Sequence, residues 1–262
     1  MRLRVAGNDV YAYTGARAFD PALPTVVFVH GAVNDHSVWA LQSRYFAHHG
    51  WNVLAVDLPG HGRSGGDALP SVEALADWIP AVLDAARIDQ GALVGHSLGS
   101  LAALECAARY PGRVTKVALV GPAAPMPVSE ALLDAAKRND HSALELITGW
   151  SYSAGKKLGG NQVPGVWLTG SALRLLERTR PGVLHADLVA CHAHATGVDS
   201  AARVRRPSLV IVGARDIMAP PKSAQALIAA LPGARVVTLP DCGHALMAEQ
   251  PDAVLDALRA FL

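Results

Sequence analysis

The chain reads as an α/β fold, a mostly parallel sheet carrying helices on both faces, with an all-helical insertion. Three observations predict it. Short apolar or β-branched runs alternate with helical stretches along most of the sequence. Runs such as Thr25-Val26-Val27-Phe28-Val29 are solidly apolar, the pattern of strands covered by helices on both sides. The alternation then lapses between about residues 121 and 204, where only helical patterns occur. With 262 residues, 51% hydrophobic and 17% charged, the chain has enough apolar material for one large core.

Taken in order, segments 2–5 and 10–14 flank Gly7-Asn8-Asp9 and read as a hairpin. Strand patterns follow at 25–30, 52–56, 91–95, 116–120, 208–213 and 235–239. Helical patterns lie between or after them at 37–49, 71–86, 97–109, 221–230 and 251–262. Pro122, Pro125 and Pro127 open the interrupted region, helical segments follow at 130–137, 142–150, 170–178 and 183–195, and Pro207 closes it. Residues 1–121 and 205–262 are therefore expected to form the core, and 122–204 a helical cap inserted after the sixth strand. An insertion at the carboxyl end of a parallel strand lies over the edge of the sheet where ligands bind. It reads as a lid; the alternative is a helical bulge with no gating role.

The most informative stretch is Gly91-Ala92-Leu93-Val94-Gly95-His96-Ser97-Leu98-Gly99, which runs straight into an Ala/Leu-rich helix. This is the strand, tight turn and helix that lift a nucleophilic serine into a pocket. The helix N-terminus beneath Ser97 favours negative charge close by. Gly62-Arg63-Ser64-Gly65-Gly66 fits the same G-x-S-x-G pattern, but Pro and Gly mark an irregular loop there and no helix starts at the serine. Ser97 is the nucleophile candidate and Ser64 a loop serine.

A serine hydroxyl needs a base to take its proton and an acid to orient that base. Around such a serine turn the partners follow in the order Ser, Asp/Glu, His, each in a loop after a strand. Asp216 follows the strand at 208–213, and His244 follows the strand at 235–239. The earlier strand runs into Gly121-Pro122-Ala123 with no carboxylate nearby, which removes the main rival position for the acid. Asp241 and Cys242, beside His244, read as loop-shaping residues.

A tetrahedral intermediate also needs two donors for its oxyanion. The backbone N–H of Leu98 is one. The other comes from His30-Gly31-Ala32-Val33, with Ala32 preferred and Gly31 or Val33 the alternatives. His30 reads as an anchor of that loop and His96 as packing around the serine turn. In the cap, His185, His192 and His194 do not converge at ligand spacing, so no metal site is expected. Trp150, Tyr152, Trp167, Leu168 and His192 are the candidates for the substrate pocket.

Formal net charge is +1 with scattered Lys and Arg, which implies neither a nucleic acid nor an anionic membrane as partner. No run approaches the ~20 apolar residues of a membrane span, and the first residues alternate polar and apolar without a secretory core. Cys106, Cys191 and Cys242 are odd in number and far apart, so no disulfide framework is expected. A reduced, cytoplasmic protein acting on a small-molecule substrate fits these features. Nothing in the sequence sets the oligomeric state.

Together, His30-Gly31, the loop Asp57-Leu58-Pro59-Gly60-His61-Gly62-Arg63-Ser64, the turn from Gly95 to Gly99, Gly213-Ala214-Arg215-Asp216, and Gly243-His244 with Glu249-Gln250-Pro251 resemble the α/β-hydrolase superfamily over nearly the full length outside the cap. The resemblance implies an eight-stranded sheet, cofactor-free hydrolysis, and Ser97, Asp216 and His244 as a catalytic triad. Departures narrow the branch. Haloalkane dehalogenases and epoxide hydrolases carry aspartate where Ser97 stands. Ring-cleavage carbon–carbon hydrolases usually show Gly-Pro-Gly after the His-Gly, where this chain has Ala32-Val33-Asn34. Proline iminopeptidases have tryptophan at the position of Leu98. The expectation is a serine hydrolase of carboxylesterase type, cleaving a small ester, thioester or lactone through an acyl-enzyme on Ser97. The alternatives are a carbon–carbon hydrolase of ring-cleavage products and a ligand receptor of the same fold with slow turnover.

Overall fold

The apolar runs assemble into one eight-stranded sheet in the computed structural model, which describes residues 1–160 and 165–262. The strands are β1 (Arg2–Val5), β2 (Asn8–Tyr13), β3 (Thr25–Val29), β4 (Asn52–Val56), β5 (Gly91–His96), β6 (Val114–Val120), β7 (Ser208–Gly213) and β8 (Arg235–Leu239), in the order β1-β2-β4-β3-β5-β6-β7-β8. The pairings β1–β2 and β2–β4 are antiparallel; all others are parallel. Every residue of β3, β4, β5 and β7 is buried, while β8 at the edge is mostly not. Successive side chains of a strand face opposite sides, so β3 divides between two cores. Val27 and Val29 join one, and Val26 and Phe28 the other.

On the first face lie α2 (Val72–Ala85), α3 (Leu98–Arg109), α9 (Gly197–Arg203) and α10 (Pro221–Ala230). On the second lie α1 (Ala40–His48) and α12 (Pro251–Arg259), with the short α11 (Leu246–Glu249) between β8 and α12. Ten of the twelve residues of α3 are buried. A free helix of that length is marginal in water, so α3 owes its rigidity to this packing. The expected helix at 37–49 differs in its first turn: Asp35 accepts the Ser37 N–H at 2.8 Å and tightens His36–Trp39 into a 3₁₀ turn ahead of α1.

Between β6 and β7 run α4 (Glu130–Lys137), α5 (His141–Ser151), α6 (Ala154–Lys157), α7 (Leu168–Leu176), α8 (Val183–Ala193) and α9. Side chains of α4, α5, α7 and α8 enclose a third apolar cluster. One buried residue from outside the insertion belongs to it, Val33. The α9 segment instead docks on α3, where the buried Glu105 accepts the Ser200 hydroxyl and lies 3.8 Å from Arg203. The short α6, α9 and α11 carry too few residues for a periodic signal, and α7 starts two residues before the expected 170.

The site is set by topology. From β3 the chain passes to β4 on one side, and β5 lies on the other. Ligands of open parallel sheets bind outside the strand carboxyl ends at such a reversal. The β3 and β5 ends, paired as Val29 with Gly95, lead directly to Ala32 and Ser97.

Candidate active site

Ser97 occupies the turn between β5 and α3 at φ 51°, ψ −119°. A non-glycine residue there is strained and needs surroundings that hold it. They do so by close approach: a side chain on Gly95 would strike the Gly99 carbonyl, and one on Gly99 the Val29 carbonyl. Only glycine lets β5, α3 and β3 pass this closely. Ser97 N–H donates to Val120 O at 3.0 Å, tying the turn to β6.

His244 and Asp216 meet across the ends of β8 and β7. His244 Nδ1–H donates to Asp216 Oδ2 at 2.7 Å, with both side chains buried. Asp216 Oδ1 accepts Met218 and Ala219 N–H, each at 2.8 Å, so both carboxylate oxygens are engaged and the group is locked. With Nδ1 so used, His244 Nε2 is the atom left for a proton exchange. Ser97 and His244 line one cavity of about 810 Å³. No hydrogen bond joins Ser97 Oγ to His244, a contact that in triad enzymes often tightens only with substrate.

Ser64 behaves differently. Its hydroxyl donates to Asp57 O at 2.7 Å and accepts Tyr11 N–H at 2.9 Å, buried beneath the loop. Its hydrogen bonds hold a turn and leave it no room to act as a nucleophile.

Leu98 opens α3, so its N–H is one of those that helix geometry leaves without an intrahelical acceptor. Ala32 lines the cavity, and among the described residues no acceptor takes its N–H. Val33 N–H is committed elsewhere, to Asp187 Oδ2 at 2.9 Å, which removes that alternative for the second donor. Among the described residues, Ala32 and Leu98 N–H are thus free, and so is the N–H of Gly31, which also lines the cavity and stays the alternative to Ala32.

The surrounding histidines are structural, and each does something different. Burial, with the neighbouring His61 as a lesser cause, pushes His30 down to about 4. The neutral ring accepts Leu58 N–H on Nε2 at 3.0 Å and donates from Nδ1 to Gly31 O at 2.8 Å. His96, pushed to about 3 by burial and then by His244, donates from Nε2 to the backbone carbonyl of His244 at 2.9 Å. His61 is the opposite case. Its Nδ1 faces Pro59 O at 2.9 Å and its Nε2 faces Asp187 Oδ2 at 2.8 Å. Two acceptors demand two protons, so the ring is an imidazolium. Burial opposes that charge, but the Asp187 carboxylate outweighs it and raises the pKa.

The cavity wall is largely apolar and is contributed mainly by the insertion, with Met126, Leu132, Ile147 and Leu175 among its residues. Trp150, Tyr152 and Leu168 line it. Trp167 and His192 do not. The Trp167 ring lies over Gly170 at the start of α7 and stays 72% exposed. His192 points away and accepts Val128 N–H on Nδ1 at 3.1 Å. Asp35, His36 and Asp57 bring three ligand-type atoms together, but these atoms are already used. Asp57 Oδ1 accepts both the N–H and the Nδ1–H of His36, Oδ2 accepts Arg63 N–H, and Asp35 accepts Ser37 N–H. Burial would raise the Asp57 pKa, yet these hydrogen bonds hold it below the usual carboxylate value. The group anchors a loop. All three cysteines are buried and free, and no helix among the described residues is long and apolar enough to cross a membrane.

Arrangement and chemistry fit acyl transfer: a strained serine, a histidine oriented by a locked carboxylate, and free amides on the loop after β3 and at the start of α3. Comparison with known proteins agrees. The model of the alpha/beta hydrolase family matches residues 26–257. A pimeloyl-[acyl-carrier protein] methyl ester esterase of Aromatoleum aromaticum is 32% identical over 245 residues, covering 87% of this chain and 94% of that protein. A 2-hydroxy-6-oxononadienedioate/2-hydroxy-6-oxononatrienedioate hydrolase of Paraburkholderia phymatum is 36% identical over 126 residues, 45% of this chain and 40% of its own. Among solved structures, the enol-lactonase from Burkholderia xenovorans superposes with a TM-score of 0.88 at 24% identity, covering 100% of this chain and 99% of that one.

Proposed function

This chain belongs to the alpha/beta hydrolase family, and on that premise we propose that it cleaves a small carboxylic ester, thioester or lactone through an acyl-enzyme on Ser97. The observation that carries the reading is the 2.7 Å bond from His244 Nδ1 to Asp216 Oδ2 at the wall of the cavity that Ser97 enters.

In the first step Ser97 Oγ attacks the carbonyl carbon and its proton passes to His244 Nε2. Ala32 and Leu98 N–H groups receive the oxyanion. The bond to the leaving oxygen or sulfur then breaks, and His244 returns the proton to that atom. In the second step a water attacks the acyl-enzyme, gives its proton to His244, and releases the acid as Ser97 takes the proton back. Asp216 holds the imidazole in the tautomer that leaves Nε2 free and stabilises the imidazolium. The chain needs no cofactor for either step. The apolar cavity wall suits the hydrocarbon part of a small molecule. The insertion over the site acts as its lid, and the free buried cysteines fit a reducing cytoplasm.

A carbon–carbon hydrolase is the second reading, favoured by the partial match to the ring-cleavage hydrolase. Parallel assays of p-nitrophenyl esters, acyl thioesters, lactones and a ring-cleavage dienoate test the assignment. Ester, thioester or lactone turnover with a covalent acyl adduct at Ser97 is expected. Turnover of the dienoate alone would transfer the assignment to the second reading.

A further inference from the structure

Val33 follows the oxyanion donor Ala32, yet it belongs physically to the insertion. Its side chain is 1% exposed and sits in the apolar cluster of α4, α5, α7 and α8. Its N–H donates to Asp187 Oδ2 of α8 at 2.9 Å, and its carbonyl accepts the Thr179 hydroxyl, between α7 and α8, at 3.2 Å. The residue is β-branched and held at φ 54°, a conformation that such a residue adopts only when its surroundings impose it. The same Asp187 oxygen accepts Nε2–H of His61, whose Nδ1–H is fixed on Pro59 O. Three segments far apart in the chain therefore meet at one carboxylate oxygen, next to the catalytic amide.

We infer that the cap sets the geometry of the oxyanion hole through Val33, with Asp187 as the positioning residue and Thr179 as its partner. This rests on the hydrolase reading above. Val33 would relax from its strained conformation as these contacts are lost, most of all the one to Asp187, and the displacement would carry through Ala32 to the Gly31–Ala32 peptide, which bears the donor N–H. The Ala32 N–H would then no longer point at the oxyanion. Ground-state binding in the apolar cavity uses other surfaces, so the loss should fall on kcat and leave KM nearly untouched. Losing an oxyanion donor outright costs about 10²–10³ in rate; a misdirected one should cost less.

The test uses the full chain and the variants Asp187→Ala, Asp187→Asn and Thr179→Val. Rates on p-nitrophenyl butyrate are divided by the concentration of sites titrated with a fluorophosphonate, so that loss of folded enzyme does not count. Asp187→Ala is expected to lower kcat roughly 10–100-fold with KM changed less than about threefold. Affinity for an alkyl boronic acid, whose tetrahedral adduct occupies the oxyanion hole, should fall in parallel. Asp187→Asn keeps an oxygen for Val33 N–H and should recover part of the loss. Thr179→Val should lower kcat less than Asp187→Ala, and combined with Asp187→Asn it should do so non-additively. Unchanged kcat per site in both Asp187→Asn and Thr179→Val, or an effect confined to KM, would overturn the inference even if Asp187→Ala failed to fold. Ser97→Ala serves as the separate control: undiminished turnover there defeats the hydrolase reading itself, whatever Asp187 does.

Discussion

Asp216 Oδ2 accepts a hydrogen bond from His244 Nδ1 at 2.7 Å while its other oxygen is held by Met218 and Ala219 N–H. Three hydrogen bonds, engaging both oxygens, thereby hold the carboxylate in place, and with it the imidazole. In the proposed mechanism this pair would act as one unit with Ser97. Replacing Asp216 by Asn should drop kcat about 10⁴-fold, because the amide favours the wrong imidazole tautomer. His244→Ala should cost about 10⁶. Steady-state kinetics on p-nitrophenyl butyrate, with circular dichroism to show retained folding, measures both. A loss below tenfold for His244→Ala would remove it from the mechanism.

Gly99→Ala is expected to destabilise severely. The new methyl meets the Val29 and His30 carbonyls, which are backbone groups and do not move aside as a side chain would. Overpacking of that kind costs about 3 kcal/mol. For a domain of this size that is roughly a 6–12 °C fall in Tm. Gly112→Ala makes a fair control, since nothing lies within 4 Å of the position. Similar melting of the two variants would contradict the close approach of β3 and α3.

Substrate size should follow the cavity. A largely apolar space of about 810 Å³ accommodates more than an acetyl group, so kcat/KM should climb from p-nitrophenyl acetate to medium-chain esters. Met218 lines that cavity and is half-buried. Met218→Trp should shift the optimum towards shorter chains, with the acetate rate changed the least. A chain-length profile identical to that of the parent would exclude Met218 from the acyl pocket.

Acidification should destabilise the fold through two buried imidazoles. Burial is the largest cause in each, holding His30 at about 4 and His96 at about 3 against an ordinary value of 6.5. Between pH 6.5 and about 4 the unfolded chain binds protons that these rings refuse, so stability falls as pH falls. His61 has the opposite sign. Its raised pKa adds stability that is complete below pH 6.5 and is lost as pH rises through the folded value. Thermal melts of parent and His96→Asn from pH 7 to about 4.5 check this. The variant should show a shallower decline, and an equal slope would exclude His96 as a source.

Much of the candidate site was legible because chain order alone places it. Ser97, Asp216 and His244 each sit one short loop beyond a buried strand, and parallel strands bring those loops to one edge. The same logic separated Ser64 from Ser97, since only one has a strand before it and a helix after it. The clamp on Val33 was not legible. Asp187 lies 154 residues away on α8, and no spacing rule connects a helix face to a loop packed beneath it. Trp167 and His192 failed for the same reason. Their side-chain directions depend on how α7 and α8 pack, with Trp167 turned onto Gly170 and His192 onto Val128.

Acylation of Ser97 is the step on which the proposed function rests. Labelling the protein with a fluorophosphonate and locating the adduct by peptide mass spectrometry tests it most directly. A single adduct on Ser97, abolished in Ser97→Ala and retained in Ser64→Ala, is the predicted result. An adduct at another serine, or full ester turnover by Ser97→Ala, would contradict it.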